Sequence, residues 1–213
     1  MSSLINAYEV RYFSPAGPNY DVNLFNRLIN TRERYVANKC LGWTFYDKLV
    51  TDVISYAGTD WSNAATYSTG DDVNNNSNGL VYTALQNVPA ATPLSDTNYW
   101  EQSKKFNTTA YNNLWNGGLR DYLAISVYRA SLAMSTFRGE SQGVLRGSDL
   151  TVTKEELSYT VSAAKEAETE AYSNLVDYLK RNATALSWAS CDDDADCEAL
   201  RTKNLGFMFY ADD

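Results

Sequence analysis

Between residues 60 and 100 the helical period of this chain breaks off. Upstream, Val22, Phe25, Leu28, Ile29, Arg32 and Val36 recur every three or four positions, and so do Phe45, Leu49, Val53 and Tyr56. Downstream the same spacing returns through Leu119, Tyr122, Ile125, Val127, Tyr128, Leu132 and Met134, and again through Leu157, Val161, Ala164, Ala171, Leu175 and Leu179. Within the gap stand Gly70, Gly79 and the run DDVNNNSNG, all turn-forming material, followed by LVYTAL with a two-residue period. A 3.6-residue period and a two-residue period cannot share one element, so the chain must change architecture twice.

The flanks read as helices. Asp21 caps the first, predicted over 21–39. Gly42 separates it from a second over 43–57, which Gly58 stops. After residue 106 a short helix runs to Gly117 and Gly118, and a longer one follows. Thr153 and Glu156 form a capping box for the last helix. The expected fold is mainly α: an antiparallel helical core built from 1–59 and 101–190, with a small inserted β module over 60–100. Insertion at a helix boundary is tolerated because the two chain crossings can lie side by side. Residues 191–213 read as an acidic tail ending in a candidate strand.

About forty residues can hardly fold on aliphatic burial. Trp61, Tyr67, Val73, Tyr82, Leu85 and Trp100 must supply the module's core, at up to about 3 kcal/mol per large side chain fully buried. Gly70 and Asp71 suit a tight turn, and Gly79 suits a positive φ at the end of a hairpin. Val73, Tyr82 and Ala84 then face inward, and Trp61 and Trp100 pin the two ends.

Several function classes recede on composition alone. The 213 residues include no histidine, which removes Ser-His-Asp and Cys-His nucleophile arrangements and histidine-based metal sites. The expectation is a protein with no catalytic set, no metal and no cofactor. Net charge is −8, a poor match for a phosphate backbone unless basic residues cluster. The local cluster is Arg27, Arg32 and Arg34, and direct nucleic-acid contact through it is the minor reading. From Leu186 onward seven acids oppose two bases, so that stretch carries −5 of the −8. No stretch approaches the 18 apolar residues of a membrane span, and the N-terminus does not read as a secretion signal. The 16 tyrosines, each an apolar ring with a polar tip, point toward protein contacts.

The order Trp61, Tyr67, Gly70-Asp71, Val73, Gly79, Tyr82, Ala84, followed by Pro93 and Trp100, resembles the small chitin-binding type of carbohydrate-binding module. It resembles still more the copies of that module in structural proteins of tailed phages. Chitin-binding members carry an aromatic pair after the Tyr-x-Ala segment; here Leu85, Gln86 and Asn87 stand there, with Tyr99 a partial substitute. The helical frame in turn is similar to tailed-phage head–tail connector, or adaptor, proteins. That resemblance implies a virion component assembled in the host cytoplasm. It implies a homo-oligomeric ring, commonly of twelve copies, that contacts the portal and the adjacent tail or neck proteins. Glycan binding by a virion adhesion protein is the alternative.

The remaining candidates have plainer readings. Asp192, Asp194, Asp196 and Glu198 alternate in CDDDADCEAL but lack the glycine and terminal glutamate of a calcium loop, so a solvated acidic loop is expected. Cys191 and Cys197 are spaced to pair, which a reducing cytoplasm opposes. Cys40 reads as a core residue. Asp47/Asp52 and Glu166/Glu170 read as solvated faces rather than a carboxylate pair. LGFMFY places Phe207, Phe209 and Tyr210 as candidate subunit contacts.

Overall fold

A computed structural model describes residues 3–17, 20–56, 58–139, 145–146, 150–151 and 154–188. The protein is mainly α with a small β module. The helices are α1 (Ala7–Phe13), α2 (Val22–Val36), α3 (Trp43–Asp52), α4 (Thr109–Leu114), α5 (Arg120–Gly139), α6 (Lys154–Arg181) and α7 (Ala183–Leu186). π-helical turns at Ala37–Leu41 and Trp115–Leu119 continue α2 and α4. Helix α5 is central: α1, α2 and α6 all pack on it, and Leu123, Ala124 and Val127 are completely buried there. No helix of the described residues is long and apolar enough to cross a membrane.

Local chemistry explains most boundaries. The Asp21 side chain accepts from the Asn23 amide at 2.9 Å and opens α2, whose buried stripe is Phe25, Ile29, Glu33 and Val36. Helix α3 stops at Asp52, earlier than the predicted 57, because Val53 leaves helical geometry and pairs as a β-bridge with Phe106. Helix α1 was not predicted. Asn6 caps it: its side chain accepts from the amides of Tyr8 and Glu9, while the Glu9 side chain accepts from the Asn6 amide. The Thr153 half of the predicted capping box on α6 lies outside the described residues.

The module is a four-stranded sheet in sequential order: β1 (Thr59–Asp60), β2 (Asp72–Asn75), β3 (Leu80–Ala84) and β4 (Trp100–Gln102). Strand β1 runs parallel to β2, and the other pairs are antiparallel. The register sets Val73 opposite Tyr82 and Ala84 opposite Trp100, so these four share one face. Strand β2 corrects the reading of DDVNNN as turn; the turn is confined to 76–79. Short strands β5 (Leu145–Arg146) and β6 (Leu150–Thr151) pair between α5 and α6.

Candidate functional site

The residues of the module motif form its core and its seat on the frame. Val73, Ala84, Val88 and Trp100 are buried, with Trp61, Tyr67, Tyr82, Leu94 and Tyr99 packed half-buried around them. The Tyr67 and Trp100 rings meet edge to face at 5.3 Å. The hydroxyl of Tyr67 holds the Ser62 backbone, accepting from its amide at 2.7 Å and donating to its carbonyl at 3.2 Å. Asp71 closes the Gly70 turn by accepting from the Ser68 amide at 2.7 Å, and the Gly70 amide donates to the Ala84 carbonyl. Leu85, expected in the core, is instead 45% exposed and takes no part in it, its place being filled by Val88 and Leu94.

Gly79 is where the module meets the frame. Its φ is +74°, and a Cβ there would lie 2.4 Å from Asn6 Oδ1 and 2.6 Å from the Glu9 amide nitrogen. Its carbonyl accepts from Asn6 Nδ2 at 2.9 Å, and Arg11 donates to the neighbouring Asn76 carbonyl at 3.2 Å. One asparagine therefore caps α1 with its oxygen and holds the hairpin with its nitrogen. On the other side Lys105, just beyond β4, donates to both oxygens of buried Glu9 at 3.2 and 2.9 Å and lies 5.0 Å from the Trp115 ring centre. The chain crossings into and out of the module run together: the Ile54 amide donates to the Lys105 carbonyl, and the Tyr56 hydroxyl to the Lys104 carbonyl. An open cleft of about 900 Å³ lies along this seam, with Val50 and Ile54, Leu80 and Val81, and Lys105 and Trp115 in its lining.

Three carboxylates are buried among the described residues, and each is committed to holding the chain together. Besides Glu9, Glu33 Oε1 accepts from the Ser3 hydroxyl and the amides of Leu4 and Ile5, and Oε2 accepts from the Tyr46 hydroxyl. Burial pushes the Glu33 carboxyl above its ordinary 4.5, outweighing those hydrogen bonds. Burial and the adjacent Glu33 charge likewise raise the Tyr46 phenol. Glu168 sits between Arg32, at 2.9 Å, and Arg129. Burial pushes its pKa up, but hydrogen bonds from Arg129 and Ser126 and the two guanidinium charges bring it below the ordinary value. Sequence reading missed all three. Glu33 and Glu168 carry the signal that would have found them: each interrupts an otherwise apolar stripe of its helix.

Each pair singled out from sequence lies along one open helical surface, Asp47 and Asp52 on α3 and Glu166 and Glu170 on α6. Asp47 is exposed, while Asp52 accepts from the Thr108 amide at 2.8 Å and steadies the entry to α4. Glu166 and Glu170 are both exposed. Cys40 is buried in the main core. No group of histidine, cysteine or acidic side chains among the described residues is arranged to hold a metal ion. Cys191, Cys197, the acidic loop around them, and Phe207, Phe209 and Tyr210 lie outside the described residues. Comparison of the chain with protein-family models, curated proteins and solved structures found no match.

Proposed function

We propose that this chain is a non-enzymatic structural component of a tailed-phage virion: a head–tail connector of the neck that joins the portal to the tail as a homo-oligomeric ring. The observation that carries the reading is the docked module. A module whose motif resembles those of phage structural proteins is seated on a helical frame through Gly79, Asn6 and the Glu9–Lys105 pair, so the two parts meet as one body. The buried carboxylates support it too: Glu9 lines the cleft, but both its oxygens are held by Lys105 and the Asn6 amide, and Glu33 and Glu168 tie segments together. Obligate rings need broad contacts between copies, and a helical frame with an outlying module offers several faces for them.

The glycan-binding reading ranks second. Tyr67, Tyr82 and Tyr99, the rings available to stack on sugar, are drawn half into the module's core. Electron microscopy of the parent particle with the chain tagged tests the proposal. A ring at the neck is expected; a tag at fibre tips, or off the particle, overturns it.

A further inference from the structure

Two helices carry opposite charge on solvent faces of identical spacing. Arg27, Thr31, Arg34 and Asn38 run along α2 into its π-helical turn at i, i+4, i+7 and i+11, and all four are exposed. Glu166, Glu170, Ser173 and Asp177 repeat that spacing along α6, and all four are exposed. At 1.5 Å per residue each stripe is about 16 Å long. Lys165 and Lys180 flank the acidic stripe. Each stripe also has an exposed tyrosine beside it, Tyr35 at 39% on α2 and Tyr159 at 78% on α6.

The stripes do not satisfy each other within one chain. Where α2 meets α6, the contacts come from other positions: Arg32 pairs with Glu168, and Lys39 lies 4.0 Å from the centre of the Tyr172 ring. Among the described residues Arg27, Arg34, Glu166, Glu170 and Asp177 form no ion pair. The α2 stripe lies opposite the buried Phe25–Ile29–Glu33–Val36 stripe, and the α6 stripe opposite Ala164, Glu168, Ala171 and Leu175. Both stripes therefore point away from the core, one on each helix.

We infer that the basic face of α2 docks on the acidic face of α6 of a second copy of this chain. The contact is heterologous, so an open assembly keeps an unused basic face at one end and an unused acidic face at the other, and the same contact is repeated until the ring closes. The matched charges set register and orientation and disfavour like-on-like pairing, while Tyr35 and Tyr159 add apolar area. The inference rests on the ring reading of the function and names the faces that make the ring.

Charge exchange tests it in the full chain by sedimentation velocity. Arg27→Glu with Arg34→Glu makes both stripes acidic. Glu166→Lys with Glu170→Lys and Asp177→Lys makes both basic. Each set alone is expected to raise the concentration at which copies associate by about tenfold or more. The two variants mixed one to one, and a chain carrying both sets, are expected to regain association near the wild-type value. Circular dichroism checks that every variant keeps its helix content. Association that ignores the single sets, or that exchange fails to restore while the wild type still assembles, overturns these faces and leaves the ring reading standing. A wild-type chain that stays single at every concentration, with or without a portal, overturns both.

Discussion

The Asn6 side chain donates to the Gly79 carbonyl at 2.9 Å, and across that contact the β module is joined to the first helix. Both residues are tightly specified. Asn6 must cap α1 and reach the hairpin at once, and Gly79 must hold a positive φ against the α1 backbone.

Gly79→Ala should therefore cost more than Gly70→Ala. Both glycines have positive φ, which costs an alanine about 1–2 kcal/mol. At Gly70 an added methyl would meet nothing within 4 Å, whereas at Gly79 it strikes a side-chain oxygen and a backbone nitrogen. Urea unfolding should place Gly79→Ala at least about 1 kcal/mol below Gly70→Ala. Hydrogen exchange should speed up in both the 76–79 turn and α1.

Glu33 sets a pH dependence of unusual sign. Its folded pKa lies above its ordinary 4.5, so its contribution to stability is fully present below about that pH and falls as pH rises through the folded value. Glu33→Gln keeps an acceptor for Ser3, Leu4 and Ile5 and removes the ionisation. Measured by urea unfolding, Glu33→Gln should gain on the wild type as pH rises from about 4 to about 8. Glu33→Ala, which leaves buried amides without an acceptor, should lose about 2–4 kcal/mol across that range.

Glu168 has the opposite sign. Its folded pKa is depressed, so the stability it adds is present above the ordinary value and is lost as pH falls through the folded one. Glu168→Gln should flatten the acid limb of the stability curve. At neutral pH it should cost about 1–3 kcal/mol, below the full value for a buried pair because Arg129 is substantially exposed to solvent.

Trp100 is the largest buried side chain of the module, and its indole N–H has no partner among the described residues. Trp100→Phe gives up ring area but also removes that unsatisfied donor, so it should cost less than about 2 kcal/mol. Trp100→Ala should cost about 3–5 kcal/mol. Exchange protection should then be lost across β2 to β4 while α5 keeps its own.

The helices that bury a regular apolar face were legible in the sequence, since α2 and α6 owe their existence to periodic burial; α5 is instead enclosed on most sides, with Tyr122–Ala124 and Ser126–Tyr128 buried in runs. What failed was decided by partners distant in the chain. Strand β2 is almost all Asp and Asn, which avoid strands, and it forms because Leu80–Ala84 pairs with it. Helix α1 has only seven residues, too few to show a period, and its one local mark is the Asn6–Glu9 cap. The shortened α3 reflects Val53 meeting Phe106, 53 positions away. The module motif held the residues of its core, but nothing local shows that Gly79 also seats against α1.

If this chain works by assembling with copies of itself and with the portal, its mass in solution must say so. Native mass spectrometry of the purified chain, alone and with portal rings, measures that directly. A closed multiple of the chain mass, bound to the portal as one ring, is the expected result. The mass of a single chain in both samples would contradict it.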